Sequence, residues 1–160
     1  MTNQHRLLQV LRNSYHAWEL ESKDAKPTEG AWSSLVVEPL LGALGWPKHG
    51  QPKSDARACY EWPKNRGVDV ALLWREEPQA FAELKIHRTG AVRDLDKKLQ
   101  AEPQIRCAKR AVAAWYGGPG GVSVFPVGDG AVGSELANFP LRPAEEATER
   151  LAALATPVIL

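Results

Sequence analysis

Hydrophobic positions recur along this chain with two different periods, and the change of period separates predicted helices from predicted strands. In residues 4–20 the apolar side chains return every three or four positions, which is typical of an amphipathic helix. The same spacing returns over residues 28–44, where Thr28 suits an N-cap and Gly45 suits a helix stop. Residues 47–55 are rich in proline, lysine and glycine and predict a loop.

Three strands are predicted next, each as a short apolar run bounded by polar or turn residues. They cover residues 57–62, 67–75 and 79–86. A long helical pattern follows over residues 92–116, and Pro103 is expected to kink or split it because proline lacks a backbone donor. Residues 122–127 predict a fourth strand and residues 143–155 a last short helix. This order predicts an α/β fold with a mixed central sheet flanked by helices.

The composition is ordinary for a globular domain. The chain has 160 residues, of which 44% are hydrophobic and 24% charged, so residues 1–160 are expected to form a single domain with its own core. No apolar run approaches the roughly 20 residues that span a bilayer, and the polar start is unlike a signal peptide. We therefore expect no membrane partner and a cytoplasmic location. The net charge of +1 lacks the basic excess that is usual for nucleic-acid-binding proteins.

The second and third predicted strands carry ionisable residues among hydrophobic ones, namely Asp69, Glu83 and Lys85. Alternate residues of a strand share a face, and a turn around Glu76 would place Asp69 directly opposite Glu83. Cross-strand Cβ atoms are about 4.5–5.5 Å apart, so the two carboxylates would repel each other unless a divalent cation lay between them. Lys85 shares the face of Glu83 and could orient an attacking water.

A different interpretation is a hairpin with one solvated face, on which the charged residues simply point at water. Ala71, Leu73 and Phe81 weigh against it because they occupy the same face. A purely structural domain is a further possibility, and it predicts that the carboxylates of Asp69 and Glu83 lie far apart.

The half-motifs Val68-Asp69 and Glu83-Leu84-Lys85 resemble those of the PD-(D/E)xK phosphodiesterase superfamily, whose core is a helix, a three-stranded meander, a helix and a strand. The predicted elements follow that order across about residues 28–128, with helices 4–20 and 143–155 as additions. The resemblance implies a restriction-endonuclease-like core (α-β-β-β-α-β) and a Mg²⁺-dependent endonuclease acting on DNA, with Mn²⁺ able to substitute. Asp69, Glu83 and the Leu84 carbonyl would hold the metal, and Lys85 would assist the attacking water.

Members of that superfamily often carry a glutamate on the first core helix that reaches the metal through water. At about 100° per residue, Glu29 borders the apolar stripe of the predicted helix, whereas Glu38 falls on the opposite side. Glu29 is therefore the candidate for this role. The alternative is that Glu29 is only a first-turn acid that complements the helix dipole.

A closer resemblance is carried by Thr28-Glu29, Val37-Glu38-Pro39-Leu40-Leu41 and Leu44-Gly45-Trp46. They are similar to the N-terminal nuclease domain of the restriction subunit of type I restriction–modification systems, which implies a role in restriction or defence. That family places a glutamine on the next helix, and Gln104 is the best match, with Gln100 second. The tyrosine that usually follows is absent. Motor domains are also absent, so a free-standing nuclease, a homodimer and a subunit of a larger complex stay open.

Basic side chains near the predicted crossover helix are candidates for contact with the DNA backbone, although they could equally be its solvated face. They are Lys97, Lys98, Arg106 and Lys109. The alternative to a nuclease is a non-catalytic nucleic-acid-binding or assembly module of the same fold. The near-neutral charge and small size favour that alternative, and the complete Asp, Glu and Lys set weighs against it. The apolar tail Val158-Ile159-Leu160 is a candidate dimer contact or a final edge strand.

Overall fold

The chain folds into a mixed sheet flanked by helices, in a computed structural model that describes residues 3–24, 26–48, 54–64, 67–157 and 160. The helices are α1 (Asn3–Asp24), α2 (Glu29–Trp32), α3 (Glu38–Ala43), α4 (Arg88–Ala101) and α5 (Ala144–Ala155). The strands are β1 (Ala56–Trp62), β2 (Val68–Trp74), β3 (Glu77–Lys85), β4 (Arg110–Trp115), β5 (Gly121–Gly128), β6 (Ala131–Val132) and β7 (Ala137–Pro140). The predicted α/β class is confirmed.

The seven strands follow the order β1-β2-β3-β4-β5-β6, and β7 pairs with β5. β1, β2 and β3 form the predicted antiparallel meander. The chain then crosses over through α4 and returns as β4, which lies parallel to β3, whereas β5 is antiparallel to β4. The meander and the crossover bring the carboxyl end of β3 beside the carboxyl end of β4.

The predicted helix over residues 92–116 is correct only in its first part. α4 ends at Ala101, a 3₁₀ turn spans Pro103–Ile105, and the next regular element is β4. The strand that follows the crossover is therefore β4, and the predicted fourth strand at 122–127 is β5, one position further across the sheet. β6 and β7 were not predicted.

The second predicted helix is confirmed in extent, although it is not uniform. The Thr28 hydroxyl accepts a hydrogen bond from the Ala31 N–H at 3.1 Å, which confirms the N-cap. A π-helical turn at Ser33–Val37 joins α2 to α3. Pro39 follows this turn, and in a regular α-helix its ring would clash with the carbonyl of Leu35, so the wider turn accommodates the proline. Glu29 lies in the first turn of this capped helix.

A hydrophobic cluster lies on each face of the sheet. α1, α2, α3 and α5 pack on one face, and α4 packs on the other. β2 contributes Val70 and Leu72 to the first cluster and Ala71 and Leu73 to the second. Burial on both sides explains the unbroken apolar sequence of this strand.

Some sequence predictions fall on residues that the structure does not describe. Residues 49–53 of the predicted loop 47–55, and Val158 and Ile159 of the apolar tail, lie outside the described residues. None of the helices in the described part combines the length and hydrophobicity needed to cross a membrane.

Candidate functional site

The pairing of β2 with β3 stops just before the predicted acidic residues. The two strands are paired as far as Val70 and Ala82, and continuing this register places Asp69 opposite Glu83, as predicted. Beyond that pair the backbone of β3 is paired with β4 alone. The Asp69 carboxylate enters the opening, and its Oδ2 accepts a hydrogen bond from the Leu84 N–H at 2.7 Å. We refer to Asp69, Glu83 and Leu84 as the β2–β3 fork.

The fork also orients the backbone carbonyl of Leu84. In an extended strand, the N–H and C=O of one residue point towards the same neighbouring strand. Because the Leu84 N–H points at Asp69, the Leu84 carbonyl is directed into the same opening. The fork therefore brings together the three oxygen donors that were predicted from sequence.

Glu83 is the most deeply buried charged side chain of the site, at 1% exposure. Burial raises the pKa of its carboxyl to about 8, and the negative charge of Asp69 adds to that rise. The Asp69 N–H offers it only a long hydrogen bond, 3.4 Å to Oε1. Burial and the charge of Asp69 therefore disfavour an ionised Glu83, and a cation at the fork would favour it.

Lys98 approaches the fork from α4. Its Nζ donates a hydrogen bond to the Gly67 carbonyl at 2.8 Å, and its charge opposes the rise in the pKa of Glu83. A side chain at residue 67 would put a Cβ 1.8 Å from the Trp62 carbonyl oxygen, so only glycine fits where the chain passes Trp62 at this point. The structure thus places Lys98 beside the buried carboxylate, whereas Lys97 is exposed on the same helix.

Lys85 stands at the end of β3, with its side chain 40% exposed. Its Nζ lies 3.6 Å from Oδ2 of Asp94, a residue of α4 that was not predicted for the site. Burial alone would lower the pKa of Lys85, but the surrounding carboxylates, led by Glu29 and Asp69, raise it. Lys85 is therefore protonated at physiological pH and can donate a hydrogen bond but cannot accept a proton.

Glu29 reaches the fork from the first turn of α2. Burial raises the pKa of its carboxyl, the negative charge of Asp69 raises it further, and the charge of Lys85 opposes the rise. Glu29 therefore lies beside the helix N-terminus and also beside the fork, so its position agrees with both interpretations of this residue. Glu38 lies further along the same helix and pairs with Lys48 at 3.3 Å.

A cleft of about 350 Å³ opens between α2, the end of β1 and the start of β2, and we call it the acid-lined cleft. Its walls include Glu29, Glu38, Lys48, Tyr60, Glu61 and Asp69. Glu38 was expected on the opposite side of its helix from Glu29. The structure corrects this, because the π turn shifts the phase of the helix and both residues line this cleft.

Tyr116 belongs to the site although the sequence did not indicate it. Its N–H donates to the Lys85 carbonyl at 3.2 Å. Burial raises the pKa of its hydroxyl, and the negative charge of Glu29 adds to the rise. Tyr116 falls within the helix that the sequence predicts over residues 92–116. It could be placed beside Lys85 only by recognising that β4 is a strand parallel to β3.

Other predicted residues are not brought to the fork. Gln104 is exposed in the 3₁₀ turn, and the chain returns from that turn to the start of β3, where the Lys109 N–H donates to the Gln79 carbonyl. Gln79 is six residues from Lys85, or about 20 Å along the strand. Gln100 donates instead to the Gly130 carbonyl at 2.7 Å. Arg106 is exposed near the same turn, and the Lys109 side chain binds the carbonyl of the last residue.

The donor set at the fork suits a hard divalent cation. Two carboxylates and one carbonyl are oxygen ligands, which Mg²⁺ prefers and usually supplements with water and phosphate oxygens. The described residues contain no group of three or more His, Cys, Asp or Glu side chains arranged to hold a metal ion. The fork thus differs from a closed structural metal site, which encloses its ion with protein ligands.

No family model, curated protein or solved structure gives a significant match to this chain.

Proposed function

We propose that this protein is a Mg²⁺-dependent endonuclease that hydrolyses phosphodiester bonds in DNA. The observation that carries the proposal is the β2–β3 fork, in which Asp69 and the buried Glu83 face each other beside the cationic Lys85. The order of elements supports it. The helix from α2 to α3, the meander β1–β3, the crossover helix α4 and the parallel strand β4 follow the α-β-β-β-α-β order of a restriction-endonuclease-like core.

The roles of the fork residues follow from their chemistry. Asp69, Glu83 and the Leu84 carbonyl would hold Mg²⁺ or Mn²⁺. Such a cation, when bound, activates a water molecule and stabilises charge on the scissile phosphate. Lys85 is protonated, so it stabilises negative charge on the phosphate or orients the water through a donated hydrogen bond. Glu29 accepts hydrogen bonds from water in the acid-lined cleft.

The chain departs from the type I restriction family at the crossover helix. Gln104 is remote from the fork, Gln100 binds the Gly130 carbonyl, and α4 presents Lys98 to Glu83. A cation next to a buried carboxylate favours its ionised form, which is the form that binds a metal. Lys98 is therefore proposed as a positioning residue for Glu83.

Plasmid cleavage tests the proposal. Supercoiled DNA is incubated with wild-type protein, with Lys85→Ala and with Arg6→Ala, in Mg²⁺ or Mn²⁺. Wild type is expected to nick the plasmid, and Lys85→Ala should cut about 10²–10³-fold more slowly because one donor to the developing charge is lost. Arg6 is exposed near the start of α1, and its replacement should leave the rate unchanged.

Two outcomes would contradict the nuclease assignment. One is the absence of cleavage of any DNA or RNA with either metal, and the other is a Lys85→Ala variant that cuts as fast as wild type. Binding of DNA without cleavage would instead favour the alternative, a non-catalytic nucleic-acid-binding or assembly module of the same fold.

A further inference from the structure

Two clefts flank the β2–β3 fork, and their walls differ in chemistry. In the acid-lined cleft, four acidic residues outnumber Lys48, the described basic residue of its walls. The four are Glu29, Glu38, Glu61 and Asp69. The second cleft, of about 650 Å³, lies between the end of α1 and the segments that follow β3 and β4. Its walls include Trp18, Lys23, Ile86, His87, Tyr116 and Gly117. We call it the aromatic cleft.

The aromatic cleft lies beside the end of β3 that carries Lys85. Tyr116 lines it and also binds the Lys85 carbonyl through its N–H. Ile86 is the next residue after Lys85, and its own carbonyl accepts a hydrogen bond from the Gly117 N–H at 2.7 Å. A Cβ at residue 117 would lie 2.5 Å from the Ile86 carbonyl oxygen, so glycine is required for this close contact. A group bound in the cleft would thus lie on the side of β3 where the chain leaves Lys85.

The wall of the cleft offers a fixed aromatic ring and an exposed apolar side chain. The Tyr116 ring meets Trp18 edge to face, with centroids 5.7 Å apart, and also contacts Trp32 at 5.9 Å. These contacts hold the ring in one orientation, so little conformational entropy is lost when a ligand binds to it. Ile86 is 39% exposed beside it. Flat apolar ligands such as nucleobases bind to surfaces of this kind.

The charges of the cleft fit a ligand that also carries a phosphate. Lys23 is exposed at the end of α1, and His87 follows Ile86 in the same wall. Glu19 is the acid among the described lining residues, and Arg142 pairs with it. In the acid-lined cleft, by contrast, carboxylates predominate, so a nucleic-acid strand would meet favourable charge there only at a bound cation.

We propose that the aromatic cleft binds an unstacked nucleobase of the DNA strand, next to the phosphodiester that is cut. Tyr116 and Ile86 contact the base, and Lys23 and His87 face the adjoining phosphate. The proposal rests on the proposed nuclease function and assigns the path of the substrate strand to one side of the fork.

Binding to short strands with and without bases tests this assignment. A fluorescent single-stranded oligothymidylate and an abasic strand of equal length are titrated with protein in Ca²⁺, and anisotropy is recorded. The wild type should bind the thymidylate strand about tenfold more tightly than the abasic strand, which has the same phosphates. Ile86→Glu should abolish this preference, whereas Leu136→Glu, the same change at a 51% exposed leucine outside the cleft, should preserve it.

The outcomes separate this proposal from the nuclease function. Equal affinity of wild type for the two strands would overturn the cleft assignment, and so would an unchanged preference in Ile86→Glu. If the same wild-type sample cleaves plasmid despite either of those results, the nuclease function is supported and only the cleft assignment fails. A base preference that Ile86→Glu removes, in a protein that cleaves no substrate, would support the cleft and overturn the nuclease function. Circular dichroism of both variants establishes that each is folded.

Discussion

Lys85 and Lys98 approach the carboxylates of the β2–β3 fork from different elements and in different environments. Lys98 is half-buried, bound to the Gly67 carbonyl, and its charge acts on Glu83. Lys85 is more open and lies near Asp94. A buried cation beside a buried carboxylate governs the charge state of that carboxylate, whereas a cation at the mouth of a site is available to substrate. The two lysines should therefore affect different measurements.

Replacing Lys98 should weaken the binding of divalent cations. Lys98→Met removes the charge that favours ionised Glu83, so more of the protein carries a protonated Glu83 at pH 7. We expect Mn²⁺ affinity, measured by electron paramagnetic resonance, to fall about tenfold, with partial recovery in Lys98→Arg. Lys97→Met, at the exposed neighbouring position, should bind Mn²⁺ like wild type. Equal Mn²⁺ affinity in Lys98→Met and wild type would contradict the role of Lys98.

The raised pKa of Glu83 predicts how stability depends on pH without a divalent cation. Between the ordinary value of 4.5 and about 8, the folded state keeps a proton on Glu83 that the unfolded state releases. The contribution of Glu83 to the free energy of unfolding is therefore fully present below pH 4.5. It falls as the pH rises through this window and is lost above 8. The slope from this group is at most about 1.4 kcal/mol per pH unit.

Urea denaturation of the metal-free protein between pH 5 and pH 9 measures this dependence. Glu83→Gln has no carboxyl to titrate at this position, so its free energy of unfolding should change less across the window. A wild-type slope no steeper than that of Glu83→Gln would argue against a protonated Glu83.

The sequence predicted those parts of the site that depend on local periodicity. Strand alternation gave the shared face of Asp69 and Glu83, and helix phase placed Glu29 towards the sheet. The register needs a β-bulge as well, because the turn alone would pair Asp69 with Ala82, and a one-residue shift between Leu72 and Leu73 brings it opposite Glu83. Asp94, Lys98 and Tyr116 could not be placed in the same way. Their positions depend on where the crossover lays α4 and β4 against β3, which is a long-range property.

The helix that carries Glu29 ends in a C-terminal capping motif at Gly45. Gly45 has a φ of +99°, its N–H donates to the Gly42 carbonyl at 3.1 Å, and the Trp46 N–H donates to the Leu41 carbonyl at 2.8 Å. This pair of hydrogen bonds is the Schellman arrangement, and it satisfies carbonyls that the helix would otherwise leave unpaired. Gly42 lies inside α3 with open space around its Cα.

Alanine at these two glycines should have opposite effects on stability. Gly42→Ala should raise the free energy of unfolding by about 0.5–1 kcal/mol, because alanine loses less backbone entropy and meets no other atom. Gly45→Ala should lower it by about 1 kcal/mol or more, since alanine disfavours positive φ and its Cβ would lie 3.1 Å from Pro157. Urea denaturation measures both, and changes of the same sign would contradict the assigned end of the helix.

β4 illustrates why the rest of the fold could not be predicted. Its sequence, Arg110 to Trp115, contains three alanines, which favour helix in isolation and are uncommon in strands. In the folded protein Ala111 and Ala113 are fully buried in the cluster beneath α4, where there is room for small side chains only. Packing between β3 and β5 overrides the local preference.

On the scale of the whole molecule, the fork lies at the end of a sheet that is buried on both faces. The described helices on one face are α1, α2, α3 and α5, and the other face is covered by α4. Glu29 comes from the first layer, whereas Asp94 and Lys98 come from the second. The site is thus complete only when both layers are packed on the sheet, and its occupancy should be coupled to global stability.

A bound divalent cation should stabilise the entire fold. At a concentration 100 times its dissociation constant, a ligand specific for the folded state adds about 2.7 kcal/mol to the free energy of unfolding. We expect Mg²⁺ to raise the melting temperature of the wild type. The control variant Glu149→Gln, which changes an exposed acid of α5, should show the same rise. Asp69→Asn should show little response, because it removes a charged ligand. An equal rise in Asp69→Asn would place the cation elsewhere.

At the fork, a proposed metal ligand takes the place of a backbone hydrogen-bond acceptor. Where β2 would normally offer a backbone carbonyl, Asp69 offers its side chain to the Leu84 amide. That amide proton is therefore held by a side chain that is also a proposed ligand of the cation, unlike its neighbours in the ladder. The rate at which the Leu84 amide proton exchanges with deuterated solvent should therefore change when a cation binds at the fork.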